Sequence, residues 1–341
     1  MKAAEIRALP KVLLHDHVDG GLRPQTIIEL ASEINFSLPA DNAEKFQRLI
    51  FNSCNERSLE KYLKNFDYTI AVMQSHDNLV RVARECVEDL AEDGIIYAEV
   101  RGAPELFTQA GLTVEDVIHA TLVGLDEGMK RVANNGGKIT VRFITCAMRH
   151  TNRSLEVAQA TLKYRDQGVV GFDIAGPEAG FPAKNHKEAF DLLYNEGFPF
   201  TIHAGEADSV ASMIDAIHHC RAKRIGHGVR IVDAIDLTGD SPQLNEFAKF
   251  VLDKQIHLEM APTSNIQTGA ASSYENHPAG LLHSLGFNIA LNTDNRLMSR
   301  TTLSHEYEAM SDAHGWDEAD IETMNKRALS AVFDEGYALQ P

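Results

Sequence analysis

The chain has 341 residues, 44% hydrophobic and 24% charged, with a formal net charge of −17. That length suits one α/β barrel with insertions, and the composition is that of a globular protein with a sizeable core. The acidic balance argues against nucleic acid, whose binding rests on Lys and Arg neutralising phosphates, and against an anionic membrane surface.

Residues 1–10 carry Lys2, Glu5 and Arg7 with no apolar h-region, so no signal peptide is expected. No segment reaches the roughly 20 apolar residues of a membrane span. Cys54, Cys86, Cys146 and Cys220 lie far apart with no CxxC pair. They suggest neither a disulfide framework nor a cysteine zinc site, and a reducing cytoplasm is the expected compartment. Cys146 falls in a strand-like run and is expected to be a buried, inert thiol.

The first predicted strand, Lys11–His17, runs into His15-Asp16-His17-Val18-Asp19-Gly20. Side chains two apart on a strand share a face, so His15 and His17 project together as two imidazoles suited to a metal. Taken alone, the pair reads equally well as polar residues at a strand end. About 75 residues then precede the second strand, Gly94–Arg101, far more than one crossover needs. The helical spacing of Leu59, Tyr62, Leu63, Phe66 and Ile70 predicts a helical insertion over about residues 22–92. Packing on the barrel rim is its structural reading, and a lid over a small-molecule site is its functional one.

The third and fourth strands are predicted at Lys138–Met148 and Val169–Gly176, with a helix at Leu155–Gln167 between them. Gly176-Pro177-Glu178-Ala179-Gly180 lacks both the dinucleotide fingerprint and the Lys-Ser/Thr of a phosphate loop, which excludes nicotinamide and nucleoside triphosphate readings. A helix at His186–Asn195 leads to the fifth strand, Pro199–Glu206, ending in His203-Ala204-Gly205-Glu206. A helix at Ser209–Ala222 leads to the sixth, Arg224–Val229, where His227 stands between Gly226 and Gly228. A helix at Pro242–Lys254 leads to the seventh, His257–Ser264. Its His257-Leu258-Glu259 has the His-x-Glu form of cytidine-type zinc deaminases, but no cysteines follow Pro262, so that class is excluded. The eighth strand, Asn288–Asp294, runs into Asn295.

Strands alternating with helices mean βαβ units, and eight of them point to a closed (β/α)8 TIM barrel as a single domain over residues 1–341, more than to an open sheet. In such a barrel the C-terminal strand ends form one rim, so His15, His17, His203 and Asp294 can converge on one ion. Three imidazoles and a carboxylate suit zinc, in a hydrolytic site rather than a cysteine-rich structural one. The fourth strand has no lysine to bridge a second ion, so one Zn2+ per chain is expected. Glu206, three residues past His203, is placed to move protons. His227 is placed to stabilise developing charge, or else is a core histidine bonded to a carbonyl. The remaining histidines, His186 and His277 among them, read as surface or packing residues, and His150, just past the third strand, has two readings.

His15-Asp16-His17-Val18-Asp19-Gly20, His203-Ala204-Gly205-Glu206, Ile225-Gly226-His227-Gly228, Pro262-Thr263-Ser264-Asn265 and Asn292-Thr293-Asp294 together resemble the adenosine deaminase family, in order and spacing, over nearly the whole chain. The resemblance implies a zinc barrel that converts adenosine to inosine, a small-molecule purine nucleoside being its partner. It implies zinc ligation by His15, His17, His203 and Asp294, proton donation by Glu206 to purine N1, and assistance by His227. It also implies that Asp19 bonds the ribose 5′-hydroxyl and that the Gly176 N–H meets N3. Asn295 stands where the family often has Asp; an amide donates a hydrogen bond to N7 without needing a proton. The alternatives are a deaminase of adenine or of a modified adenosine, and a non-catalytic nucleoside-binding barrel.

Overall fold

The computed structural model describes residues 1–338. Eight strands alternate with helices: β1 Lys11–His17, β2 Ile95–Gly102, β3 Thr140–Met148, β4 Val169–Ala175, β5 Ile202–Ala204, β6 Arg224–His227, β7 His257–Met260 and β8 Ile289–Leu291. All neighbours pair in parallel, β1 through β4 in one run and β5-β6-β7-β8 in the other. Two isolated bridges close the ring. Phe172 of β4 pairs with Phe200 just before β5, and Asp16 of β1 pairs with Asp294 just after β8. Backbone bonds from His17 N–H to Asp294 O (2.7 Å) and from Asp294 N–H to His15 O (2.9 Å) hold that second seam. The architecture is the expected (β/α)8 barrel.

The strands are short apolar runs because both of their faces are covered. Every residue of β1 is buried, and so is every residue of β5 through β8. Leu13, Leu14, Ala98, Val100, Ile225, Leu258 and Ile289 belong to one continuous core. Charged residues also stand buried inside the strands, among them Lys11 and Asp16 on β1, Glu99 and Arg101 on β2, Asp173 on β4, Arg224 on β6 and Glu259 on β7. All four cysteines are buried and free. No helix among the described residues is long and apolar enough to cross a membrane.

Between β1 and β2 the chain forms five helices, Pro24–Glu33, Ala43–Cys54, Leu59–Leu63, Phe66–Val72 and His76–Glu92. The spacing from Leu59 to Ile70 therefore spans two short helices. Lys64 ends the first and Asn65 precedes the second, its side-chain amide donating back to Tyr62 O at 3.1 Å. Leu59–Leu63 packs against Pro262–Thr268 on the rim, and Tyr62 Oη lies 3.4 Å from Ser299 Oγ.

Several predicted elements differ. The seventh strand stops at Met260, and Pro262–Thr268 is a helix. Proline at the first helical position has its φ preset and no N–H to lose, and Gly269 ends the helix at φ 86°. The segment predicted as one helix over Ser209–Ala222 is an α-helix at Val210–Ile214 followed by a π turn at Asp215–His219. The helix predicted from Pro242 starts at Glu246, because the Asn245 side chain accepts the Ala248 N–H and caps it there; Gln243–Leu244 instead pairs antiparallel with Ile235–Asp236. The eighth strand is trimmed to its three apolar residues, which leaves Asp294 in the loop.

Candidate active site

His15 and His17 end β1 with their rings 5.3 Å apart, and His203 of β5 stands 4.6 Å from His15 and 5.3 Å from His17, centroid to centroid. Their Nε2 atoms converge on Asp294. His15 Nε2 lies 3.2 Å and His17 Nε2 3.4 Å from Asp294 Oδ1, and the Nε2 atoms of His17 and His203 are 3.2 Å apart. Asp294 takes φ 55°, a left-handed conformation that costs about 1–3 kcal/mol and turns its carboxylate back over the barrel mouth. Ser264 Oγ donates to its other oxygen at 2.6 Å.

Two further carboxylates lie beneath. The His15 Nδ1–H donates to Glu259 Oε2 at 2.8 Å, and His203 Nδ1 is 2.8 Å from Asp173 Oδ2. Glu259 accepts the His15 Nδ1 proton, so His15 Nε2 presents a lone pair to the centre, and Asp173 stands at ion-pair distance behind His203. His15 Nε2 is buried with no hydrogen-bond partner. Lone pairs on imidazole and carboxylate held 3.2–3.4 Å apart, with no proton to share, repel one another unless a cation sits between them. The donors and their backing carboxylates fit a divalent metal. One compact group of possible ligand atoms, all within 4.8 Å of one another, is His15, His203, His227 and Asp294, which includes His227 in place of the expected His17.

Sequence reading missed Glu259, which it weighed only as part of a rejected motif, and also Asp173 and Arg101. Arg101 bridges the two carboxylates, donating to Asp173 Oδ2 at 2.6 Å and to Glu259 Oε2 at 2.8 Å. Arg224 pairs with the other oxygen of Glu259 and with Glu99. The signal was available: a charge inside an otherwise apolar barrel strand must find a partner there. Burial alone would raise the carboxyl pKa values of Asp173 and Glu259, but the facing His203, His15 and guanidinium groups more than offset it and hold both low.

Glu206 and His227 face this cluster. Glu206 is buried three residues past His203, and burial, with Asp294 and Glu178 nearby, pushes its carboxyl up to about 8. Thr268 Oγ1 donates to Glu206 Oε1 at 2.9 Å, and His227 Nε2 lies 3.5 Å from Glu206 Oε2. His227 ends β6 at φ 64°. Gly226 precedes it because any Cβ there would sit 3.2 Å from both the His15 ring and the His203 backbone. Glu178, buried in the loop after β4, accepts the N–H groups of Gly205, Glu206, Ala207 and Asp208 at 2.5–3.0 Å. It anchors the turn that carries Glu206, a role invisible in the sequence.

The remaining expected residues line the same mouth. Asp19 is buried, with its Oδ1 at 4.0 Å from His17 Nδ1, and burial lifts its carboxyl to about 7. Gly20 follows because a Cβ there would fall 1.9 Å from Asn295 Oδ1, a buried oxygen without a hydrogen-bond partner. Gly176 closes β4 at φ 100°, flanked by the His150 ring, which is exposed on the rim. His277, read as surface or packing, is buried and bonded to Asn265 Oδ1 at 3.2 Å.

A family model described as adenosine deaminase matches residues 10–336. The chain is 51% identical to adenosine deaminase 1 of Streptomyces coelicolor over 98% of this chain and 86% of that protein. Among solved structures, an adenine deaminase from Arthrobacter aurescens has a TM-score of 0.83 at 20% identity, covering 97% of this chain and 96% of that one. A zinc-bound amidohydrolase from Burkholderia ambifaria has a TM-score of 0.82 at 23% identity, covering 98% and 89%. At those identities the two structures speak to the fold. The sequence matches go further, and with the barrel and its convergent histidines they place this chain in the adenosine deaminase family of hydrolases.

Proposed function

We propose that this protein hydrolyses adenosine to inosine and ammonia, with one zinc held by His15, His17, His203 and Asp294. The observation that carries the reading is a buried carboxyl, Glu206, held by Thr268 beside the converging histidines inside a barrel of this family, with burial raising its pKa. A zinc ion bound there supplies an acidified water at neutral pH. Glu206 gives a proton to purine N1 as the C6 carbon is attacked; that step puts electron density on N1, so the donor favours the transition state over the ground state. His227 stabilises the charge developing beside it. Asp19 bonds the ribose 5′-hydroxyl, the Gly176 N–H meets N3, and the Asn295 amide donates to N7. The purine nucleoside of purine salvage is thus the small-molecule partner.

The test is the ultraviolet spectrum of adenosine mixed with the purified protein, beside a chelator-stripped control. A shift to the inosine spectrum that vanishes on stripping and returns with zinc is the expected result. No shift with metal present would overturn the reading, and faster turnover of adenine would replace the nucleoside with the free base.

A further inference from the structure

His227 differs from His15 and His203 in what stands behind it. Those two back onto carboxylates, but His227 Nδ1 lies 3.0 Å from the side-chain nitrogen of Asn265. The identity of that nitrogen follows from the neighbours of the amide. Asn265 Oδ1 receives the Ala261 backbone N–H at 3.2 Å, and a backbone N–H can only donate. Oδ1 is therefore the acceptor, and Nδ2 is the atom that faces His227.

A second constraint agrees independently. The Ala279 backbone N–H donates to His277 Nδ1 at 3.1 Å, so that nitrogen carries a lone pair and His277 has its proton on Nε2. His277 Nε2–H then donates to Asn265 Oδ1 at 3.2 Å, the same atom that Ala261 fixes as an acceptor. Two backbone N–H groups thus orient a one-way chain: Ala279 to His277, His277 to Asn265, Asn265 to His227. At its end the Asn265 amide donates to His227 Nδ1, which must offer a lone pair. The ring proton is left on Nε2, the nitrogen that faces Glu206 Oε2 at 3.5 Å.

We propose that Asn265, held by His277, is a positioning residue that keeps His227 as its Nε2–H tautomer, a hydrogen-bond donor to the reaction centre. Two consequences follow. An Nε2–H has no lone pair for a metal, so His227 drops out of the compact group of possible ligands and His17 takes its place. That nitrogen also cannot accept a proton from water, which leaves Glu206 as the proton-carrying group at the centre. The tautomer stands on its own; its effect on turnover rests on the deaminase reading.

The direct test is a long-range proton–nitrogen NMR correlation on the zinc-loaded full chain labelled with 15N-histidine, with His227→Gln and His277→Gln used to assign signals. The expected result is an unprotonated Nδ1 and a protonated Nε2 on His227. A protonated Nδ1 overturns the proposal whatever the enzyme's activity. Asn265→Asp supplies a carboxylate that accepts where the amide donated, so it should move the proton to Nδ1. With it, kcat for adenosine should fall about 10- to 100-fold, KM should change by less than about threefold, and metal content should hold. Unchanged kcat in Asn265→Asp overturns the catalytic part. If the native protein does not deaminate adenosine, the function assigned above fails while the tautomer is still read from the native spectrum. Should Asn265→Asp fail to fold, Asn265→Ala is the replacement, with mixed Nδ1 and Nε2 protonation expected and a single Nε2–H form contradicting the proposal.

Discussion

At the scale of single residues, the site separates groups that hold a cation from groups that move protons, and each side can be tested. Glu206→Gln should keep its metal and lose about 10²–10⁴ in kcat, because the amide cannot carry the proton; metal loss on elemental analysis would show that Glu206 had been assigned the wrong role. The same substitution has a pH signature in the metal-free protein. Burial first, then Asp294 and Glu178, raises the native Glu206 carboxyl from 4.5 to about 8. Between those values the native state binds more protons than the unfolded state, so this group's contribution is complete below pH 4.5 and is lost as pH rises to 8. Gln at 206 has no proton to lose. The Tm of the variant relative to native should therefore climb from pH 5 to pH 8, and a flat difference would refute the raised pKa. Asp173→Asn tests the backing carboxylates. It weakens the acceptor on His203 Nδ1, and metal affinity should fall about 10- to 100-fold in a competition titration with a coloured chelator.

Secondary-structure elements do their work through strand ends and the turns beyond them. The turn after β5 hangs from the Glu178 carboxylate by four backbone N–H bonds. Glu178→Gln replaces one acceptor oxygen with a donor, so at least one N–H loses its partner. The expected outcome is a loss of about 2 kcal/mol or more in urea unfolding, together with lower kcat as Glu206 drifts; native stability with native kcat would mean that the turn holds itself. At this scale the sequence was most legible where hydrophobic period and chemistry coincided. His15, His17, His203 and His227 each follow an apolar run, and each stands at a strand end. It was least legible where a run continued past the strand. The stretch from His257 to Ser264 reads as one strand, yet Pro262 starts a helix there, and that helix brings Ser264 to Asp294 and Asn265 to His227. Glu178 acts through backbone groups and His277 through the Asn265 side chain, all brought near by the fold, and local periodicity carries no trace of such contacts.

For the whole molecule, alternation and length sufficed for the barrel, while its seams at Phe172 with Phe200 and Asp16 with Asp294 are visible only in three dimensions. The second seam passes through the proposed metal site, so the ion and the closure of the ring should be coupled. Zinc added to chelator-stripped protein should raise Tm, by about 2.7 kcal/mol of stability at a hundredfold excess over Kd, and should restore activity in parallel. Recovery of activity with no change in Tm would separate the two. The interior charges beneath the site carry a different implication, for descent rather than for mechanism. Arg101 and Arg224 together serve Glu99, Asp173 and Glu259, and the five residues span four strands. Removing any one member strands another deep in the core, at about 3–5 kcal/mol per step. No single substitution in this set is neutral, so a lineage can alter it only by several changes at once. These five positions should therefore drift more slowly than the apolar core around them, where one hydrophobe replaces another at small cost. Among distant relatives, a lost guanidinium should come with a lost carboxylate.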